Sequence, residues 1–364
     1  MSSLPAYVRQ MQPYKPGKPI EELKAEYGFE TVIKLASNEN PFGPSPKAIE
    51  AATKGLSETF RYPDPVSRRL RQKIADRFGI QPEEIVVGAG SESLLATVVR
   101  TMLHPGDETL TGFGAFMGFA IHLSAHGGVL KTVPSPDYRF DIDGLLAAIT
   151  PKTRILYLPN PNNPTGTYFT QAQLEKITAT VPDSTLILLD EAYIEFCGHL
   201  SDYPDSLATR KPNVLVLRTF SKAYGLAGFR IGYGIGHPKL IEQLTKVKMT
   251  FEPSMPAQLA AEAAWDDHDF LKKGADNNRQ ELARYYGELR RLGFSPVESA
   301  GNFVFVPSTS ADYVNRLNEA LLQRGIAIRP LGPFGFSDAF RITVGLPQEN
   351  DALFAALAEI LPEL

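Results

Sequence analysis

Short apolar runs that end in polar or glycine-rich turns, each followed by a stretch with helical spacing, recur through the first two thirds of this chain. That alternation restricts it to an α/β fold. Strand-like runs fall at 84–87, 108–111, 128–133, 154–158, 185–189 and 214–217. Helical stretches fall at 46–56, 66–78, 94–103, 115–125 and 145–149. Strands separated by helices predict a mostly parallel, doubly wound sheet. Beyond it, residues 259–292 carry helical spacing without an internal proline and predict one long linking helix. Segments 302–306, 311–324, 326–329, 341–344 and 352–361 then read as strand, helix, strand, strand, helix, a smaller α+β domain. A chain of 364 residues exceeds the length at which one core usually keeps growing, which favours two domains.

Three strand ends carry chemistry. The run Thr185-Leu186-Ile187-Leu188-Leu189 delivers Asp190 to its carboxyl end, where open parallel sheets place their ligands. An aspartate there is either a helix N-cap or an ion-pair partner for a cofactor ring nitrogen. After the run at 154–158 comes Asn160-Pro161-Asn162-Asn163-Pro164-Thr165-Gly166, a turn that also offers amide side chains. After the run at 214–217 comes Ser221-Lys222-Ala223-Tyr224-Gly225-Leu226-Ala227-Gly228-Phe229-Arg230. Lys222 suits an amine nucleophile, provided that burial or a neighbouring cation such as Arg230 lowers its pKa from about 10.4.

Upstream, Gly88-Ala89-Gly90-Ser91-Glu92-Ser93 joins a strand to a helix. It reads as a phosphate cradle at a helix N-terminus or as a plain capped turn. A dinucleotide fingerprint is excluded, because its third glycine position holds Ser93 and the required acid is missing from the end of the next strand.

The remaining composition excludes several classes. Net charge −4 gives no hint of a nucleic-acid partner, and no cysteine and histidine spacing suggests a metal site. A single cysteine, Cys197, excludes an intramolecular disulfide, fits a reducing cytoplasm, and reads as a packed small residue. The first residues lack a basic or apolar leader, and no run approaches the ~18 apolar residues of a membrane span. Prolines at 13, 16 and 19 predict an extended N-terminal arm.

Taken with Leu35-Ala36-Ser37-Asn38-Glu39-Asn40-Pro41-Phe42-Gly43, Arg61-Tyr62-Pro63 and Phe340-Arg341-Ile342-Thr343-Val344-Gly345, these motifs make the chain resemble the fold-type-I, pyridoxal-phosphate-dependent aminotransferases from about Tyr14 to the C-terminus. The closest likeness is to the histidinol-phosphate aminotransferases. The resemblance implies a pyridoxal 5'-phosphate cofactor carried covalently by Lys222, which also shuttles the substrate proton, and a ring nitrogen paired with Asp190. It implies Asn163 and Tyr193 at the ring oxygen, Phe116 stacked on the ring, and Ser91, the Glu92 amide, Ser221 and Arg230 at the phosphate.

It further implies a homodimer in which Tyr62 reaches the partner's phosphate site and Tyr14 its substrate, with Arg329 and Arg341 as anion receptors. The domains implied are 1–44 (arm and part of the small domain), 45–265 (large, cofactor-binding) and 266–364 (small, with the linking helix). The reaction implied is transamination between histidinol phosphate and 2-oxoglutarate in a cytoplasmic enzyme of histidine biosynthesis. The alternatives are an aromatic amino-acid aminotransferase, a phosphothreonine decarboxylase of the same superfamily, and an idle cofactor-binding module. Two departures from the family pattern stand out: Gly112-Phe113-Gly114 ahead of Phe116, and Glu252 in Phe251-Glu252-Pro253-Ser254.

Overall fold

A computed structural model describes residues 3–11, 13, 20–209 and 211–364. Its strands in chain order are β1 (Ile33–Lys34), β2 (Ile85–Gly88), β3 (Glu108–Gly112), β4 (Val129–Val133), β5 (Thr153–Pro159), β6 (Leu186–Asp190), β7 (Val214–Thr219), β8 (Gly232–Gly236), β9 (Phe303–Pro307), β10 (Ile326–Ala327), β11 (Arg329–Pro330) and β12 (Ala339–Thr343). Seven of them form one sheet in the order β2-β8-β7-β6-β5-β3-β4. Neighbours from β4 through β7 run parallel, whereas β8 is antiparallel to both β7 and β2. The expected α/β sheet is therefore present but mixed. The link from β7 to β8, residues 220–231, holds only the short helical turn Ala227–Phe229 and no crossover helix, so the chain returns antiparallel.

Every residue of β6 and β7 is buried, as expected of strands covered on both faces. Asp190 pairs in register with Pro159 of β5 and Leu217 of β7, so the middle of the sheet presents it at the carboxyl edge.

Residues 33–35 join the second part of the molecule. β1 pairs in parallel with β10, and Leu35 packs in a core with Tyr285, Leu289, Leu317, Phe340 and Leu357. Strands β11, β12 and β9 make an antiparallel three-stranded sheet beside that pair. The single strand expected at 326–329 is thus split between two sheets. Among the described residues, no helix is long and apolar enough to cross a membrane.

The long helix expected over 259–292 is two helices, Met255–Trp265 and His268–Arg291. The break falls at Asp267, whose backbone leaves the helical region at φ −90° and ψ 68°. Its carboxylate is held by the Ser45 hydroxyl at 2.5 Å and the Lys47 ammonium at 2.8 Å. Pattern alone saw apolar periodicity continue across this point, and these tertiary contacts overrode it.

Trp265 ends the first of these helices and is buried. Around it sit Phe220, Tyr224, Tyr233 and Phe78 at centroid distances of 5.9, 6.1, 5.8 and 5.8 Å, with the Arg77 guanidinium 3.6 Å over its ring. Its indole N–H donates to the Lys73 carbonyl at 3.2 Å. Phe220 and Tyr224 flank Lys222 in sequence, so this cluster anchors the loop that carries the amine. Trp265→Ala is expected to cost about 3–5 kcal/mol through lost burial and a cavity. Urea unfolding followed by circular dichroism measures it, and a loss below ~1 kcal/mol contradicts this assignment.

Candidate active site

The loop after β7 is tied at both ends before it presents Lys222. Phe220 N–H donates to the Ile231 carbonyl at 3.1 Å, and the Thr219 hydroxyl accepts from Ser221 N–H at 3.1 Å. With Phe220, Ala223, Tyr224 and Leu226 buried, Lys222 turns into the cavity, and its Nζ donates to the Ser37 carbonyl at 3.2 Å. Burial first, then the Arg341 and Arg230 charges, lower its pKa to about 8, against the opposing pull of Glu39 and Asp190. Arg230 was the cation expected from sequence; Arg341, brought in from a distant strand, is the larger influence.

Asp190 is buried at the end of β6. Its Oδ2 accepts from the Tyr157 hydroxyl at 2.9 Å, while its Oδ1 is buried and has no hydrogen-bond partner among the described residues, the nearby Ala192 N–H giving only a weaker pull on the carboxylate. Burial raises its pKa to about 6, which leaves it ionised at neutral pH. An unpaired buried carboxylate oxygen costs roughly 1–3 kcal/mol or more, so Asp190 Oδ1 is suited to a further N–H donor.

A phosphate cradle lies beside it. The helix expected to begin at Leu94 starts at Gly90 and runs to Met102, which puts Ser91 and Glu92 in its first turn, where backbone amides have no intrahelical partner. Gly90 has φ +83°, and a Cβ there would meet Arg230 Nη2 at 2.9 Å. A Cβ on Gly232 of β8 would lie 2.5 Å from the Ser91 nitrogen. Both glycines let strand, helix start and guanidinium converge. Arg230 donates to the Ser221 hydroxyl at 3.4 Å, and its Nη2 lies 3.6 Å from Glu92. The Glu92 carboxyl is drawn below its ordinary range, chiefly by His122.

Asn163 accepts at Oδ1 from Arg341, whose other amino group donates to the Ala36 carbonyl at 2.8 Å. The Tyr193 hydroxyl accepts from Asn38 Nδ2 at 2.9 Å, and burial raises its pKa to about 12, so its own proton remains available to donate. Phe116 is not in a helix interior, as the 115–125 pattern suggested; it is the N-cap of Met117–Ala125. Phe119 packs in the core, stacked on Tyr157 at 4.3 Å.

One cavity of about 450 Å³ is lined by Ser91, Glu92, Phe116, Asn163, Asp190, Tyr193, Ser221, Lys222 and Arg230. Sequence reasoning selected these nine. It missed Ser37, Glu39 and Thr219 in the same wall, and it missed Asn38 and Tyr157 behind it. Tyr157 had a legible signal, a lone hydroxyl in an otherwise aliphatic buried run. Other selected residues lie outside the cavity wall. Arg341 sits in β12 behind Asn163. Arg329 stands opposite it in register on β11, 5.7 Å over the Phe334 ring. Arg341, expected to open the strand at 341–344, sits in the middle of β12, and Arg329, expected to end the strand at 326–329, opens β11.

Tyr62 is 79% exposed and stacks on Phe251 at 4.2 Å in a neighbouring groove that shares Arg230 with the cavity. Glu252 also lines that groove, 3.4 Å from the Ser93 hydroxyl, and not the cavity. Tyr14 lies outside the described residues.

The amine, the orphaned Asp190 oxygen, the aromatic wall and the cradle together fit a planar carbonyl cofactor with a ring nitrogen and a phosphate. Without it, acylation of Lys222 Nζ by acetic anhydride, followed by mass spectrometry, is expected to rise with pH through about 8. Only the neutral amine reacts, so the rate levels off above that pH. Arg341→Gln removes a positive neighbour and should move the midpoint upward. An unmoved or lowered midpoint contradicts the electrostatic assignment.

The chain matches the family described as "Aminotransferase class I and II" over residues 30–357. It is 42% identical to histidinol-phosphate aminotransferase of Anaeromyxobacter sp., with 99% of this chain and 100% of that protein covered. It is also 42% identical to histidinol-phosphate aminotransferase 2 of Ralstonia nicotianae, covering 99% and 97%. The crystal structure of histidinol-phosphate aminotransferase from Sinorhizobium meliloti in complex with pyridoxal-5'-phosphate superposes with a TM-score of 0.91 at 33% identity, covering 100% and 98%. The chain therefore belongs to the class I and II aminotransferases, and within them to the histidinol-phosphate aminotransferase family.

Proposed function

We propose that this chain is a pyridoxal-phosphate-dependent aminotransferase that interconverts histidinol phosphate and 2-oxoglutarate with imidazole acetol phosphate and glutamate, a step of histidine biosynthesis. The observation that carries the chemistry is the pairing, in one cavity, of an amine tuned to about 8 with a buried aspartate that has one oxygen unpaired. Full-length similarity to relatives of that name supports the substrate.

When bound, pyridoxal phosphate supplies a carbonyl that takes the amino group and a ring that accepts the electron pair of the breaking C–H bond. This chain's residues do the rest. Lys222 Nζ, partly neutral near pH 8, would carry the cofactor and, once freed, would take and return the substrate's proton. Asp190 would pair with the ring nitrogen, with Tyr157 fixing the carboxylate's orientation. Tyr193 and Asn163 would serve the ring oxygen, and Phe116 the ring. Ser91, the Glu92 amide, Ser221 and Arg230 would hold the phosphate. Arg341, whose two amino groups are held by Asn163 and the Ala36 carbonyl, would receive substrate anions once these contacts are exchanged, with Arg329 as the second receptor on the adjacent strand.

The same reading takes residues 45–265 as the cofactor-binding domain and 1–44 with 266–364 as the small domain. The β1–β10 pairing and the helix break after Trp265 support that division. It also assigns the enzyme to the cytoplasm. Finally, it makes the working unit a homodimer in which Tyr62 serves the partner's phosphate site. The exposure of Tyr62, Phe60 and Met249 supports that arrangement.

Steady-state kinetics test the substrate. Phosphate recognition by charge-assisted hydrogen bonds is worth about ten- to a hundredfold, so kcat/KM for histidinol phosphate should exceed that for phenylalanine or tyrosine by at least that factor. Equal or reversed values would make the enzyme an aromatic amino-acid aminotransferase. Subunit exchange tests the shared site. Mixing Lys222→Ala with Tyr62→Phe should raise activity above the mean of the two, because the hybrid dimer has one site with neither lesion. No gain after exchange means that Tyr62 serves its own subunit.

A further inference from the structure

Of the three carboxylates in the cavity wall, two have assigned roles. Asp190 awaits a ring nitrogen, and Glu92 lies between His122 at 3.7 Å and Arg230 at 3.6 Å. Glu39 is the third; its charge opposes the lowering of the Lys222 pKa, but it is assigned no contact with the cofactor and carries no proton in the reaction. It belongs to a segment fastened residue by residue to the substrate side. The Ala36 carbonyl accepts from Arg341, the Ser37 carbonyl from Lys222, and the Asn38 N–H donates to the Thr343 hydroxyl at 2.9 Å. Three residues of backbone span at most about 11 Å, so the carbonyl that steadies Arg341 and the backbone of Glu39 lie within reach of one small molecule.

We infer that Glu39 accepts an N–H of the imidazole ring of histidinol phosphate, and that it is the residue by which this site prefers that ring to a phenyl ring. The inference rests on the function proposed above and deepens it. Lys34 Nζ holds Oε1 of Glu39 at 2.9 Å. A carboxylate has about four acceptor sites, so one ammonium contact orients the group and leaves Oε2 for a ligand. Imidazole, neutral or protonated, carries an N–H at every pH the enzyme meets. A phenyl ring offers none and would strip water from the carboxylate without replacing it, a loss that rejects analogues more strongly than shape does. The Lys34 partner answers the opposite problem. Glutamate, the other amino acid handled here, brings a side-chain carboxylate that a lone Glu39 would repel, and Lys34 keeps the pair near neutral.

The test compares two unreactive probes, the deaminated analogue of histidinol phosphate and its phenyl counterpart. Their dissociation constants are measured by calorimetry on cofactor-loaded enzyme, beside kcat/KM for histidinol phosphate and its phenyl analogue. Glu39→Gln is expected to lower the imidazole-over-phenyl ratio about ten- to a hundredfold in both measurements. Lys34→Met should leave that ratio unchanged or raise it, because Glu39 then has only the ligand as partner. A merely structural role for the Lys34–Glu39 pair predicts that both variants weaken both probes alike. Equal losses, no change in Glu39→Gln, or a fall in the ratio for Lys34→Met would overturn the inference. A wild-type enzyme that does not turn over histidinol phosphate would instead overturn the function on which it rests. Turnover of histidinol phosphate with an unmoved ratio would overturn only the role of Glu39.

Discussion

The burial of the Asp190 carboxylate with one oxygen left unpaired is the constraint around which the rest of the site is arranged. A charge taken out of water is costly unless its acceptor sites are filled, and among the described residues the Tyr157 hydroxyl fills one side while Oδ1 stays open, with the Ala192 N–H adding a weaker pull. The surroundings are built to bear that cost. β6 lies between β5 and β7, so its backbone is fully paired, and the neighbouring Glu191 is neutralised by Arg218 at 2.8 Å. The same low-dielectric pocket that raises Asp190 to about 6 lowers Lys222 to about 8. One physical cause, desolvation, thus tunes acid and amine in opposite directions, each toward the range in which it works.

Rigidity comes from two directions. Behind the amine, Trp265 and its aromatic neighbours hold Phe220 and Tyr224, while Ser221, Lys222 and Arg230 of the same loop face the cavity. In front of it, residues 36–39 act as a crossbar. Their carbonyls and side chains reach Arg341, Lys222, Tyr193 and Thr343, groups separated by up to 305 positions in sequence. The crossbar leads directly from β1 and Leu35, which pack with the second part of the molecule. Any movement of that part relative to the seven-stranded sheet would therefore be felt at the amine and at the anion receptor together. Arg341 couples the two through Asn163, a residue of the turn after β5.

Much of the large sheet was legible because buried strands announce themselves as unbroken aliphatic runs, and 185–189 and 214–217 are such runs. Asp190, Asn163 and Lys222 were legible for the same reason, each standing just past a run in a doubly wound pattern. The antiparallel direction of β8 was not, since it is set by pairing with β2 and β7, and the glycines there answer to Ser91, Val86, Leu217 and Leu215, contacts invisible in one dimension. The break at Asp267 was hidden because the helical spacing on either side stays in phase, and only the contacts with Ser45 and Lys47 show what holds the residue out of the helix.

The sequence by itself determined the α/β class, the positions of the parallel strands of the large sheet along the chain, and the strand ends at which an aspartate, an amide-rich turn and a lysine would appear. Local periodicity and turn chemistry act over a few residues, and they can be read from a few residues. Tertiary structure alone decided that Arg341 rather than Arg230 is the stronger cation beside Lys222, that Tyr157 and Asn38 orient Asp190 and Tyr193, and that Glu39 enters the cavity wall. Those outcomes depend on distance and dielectric between groups far apart in sequence, and only the folded chain sets either.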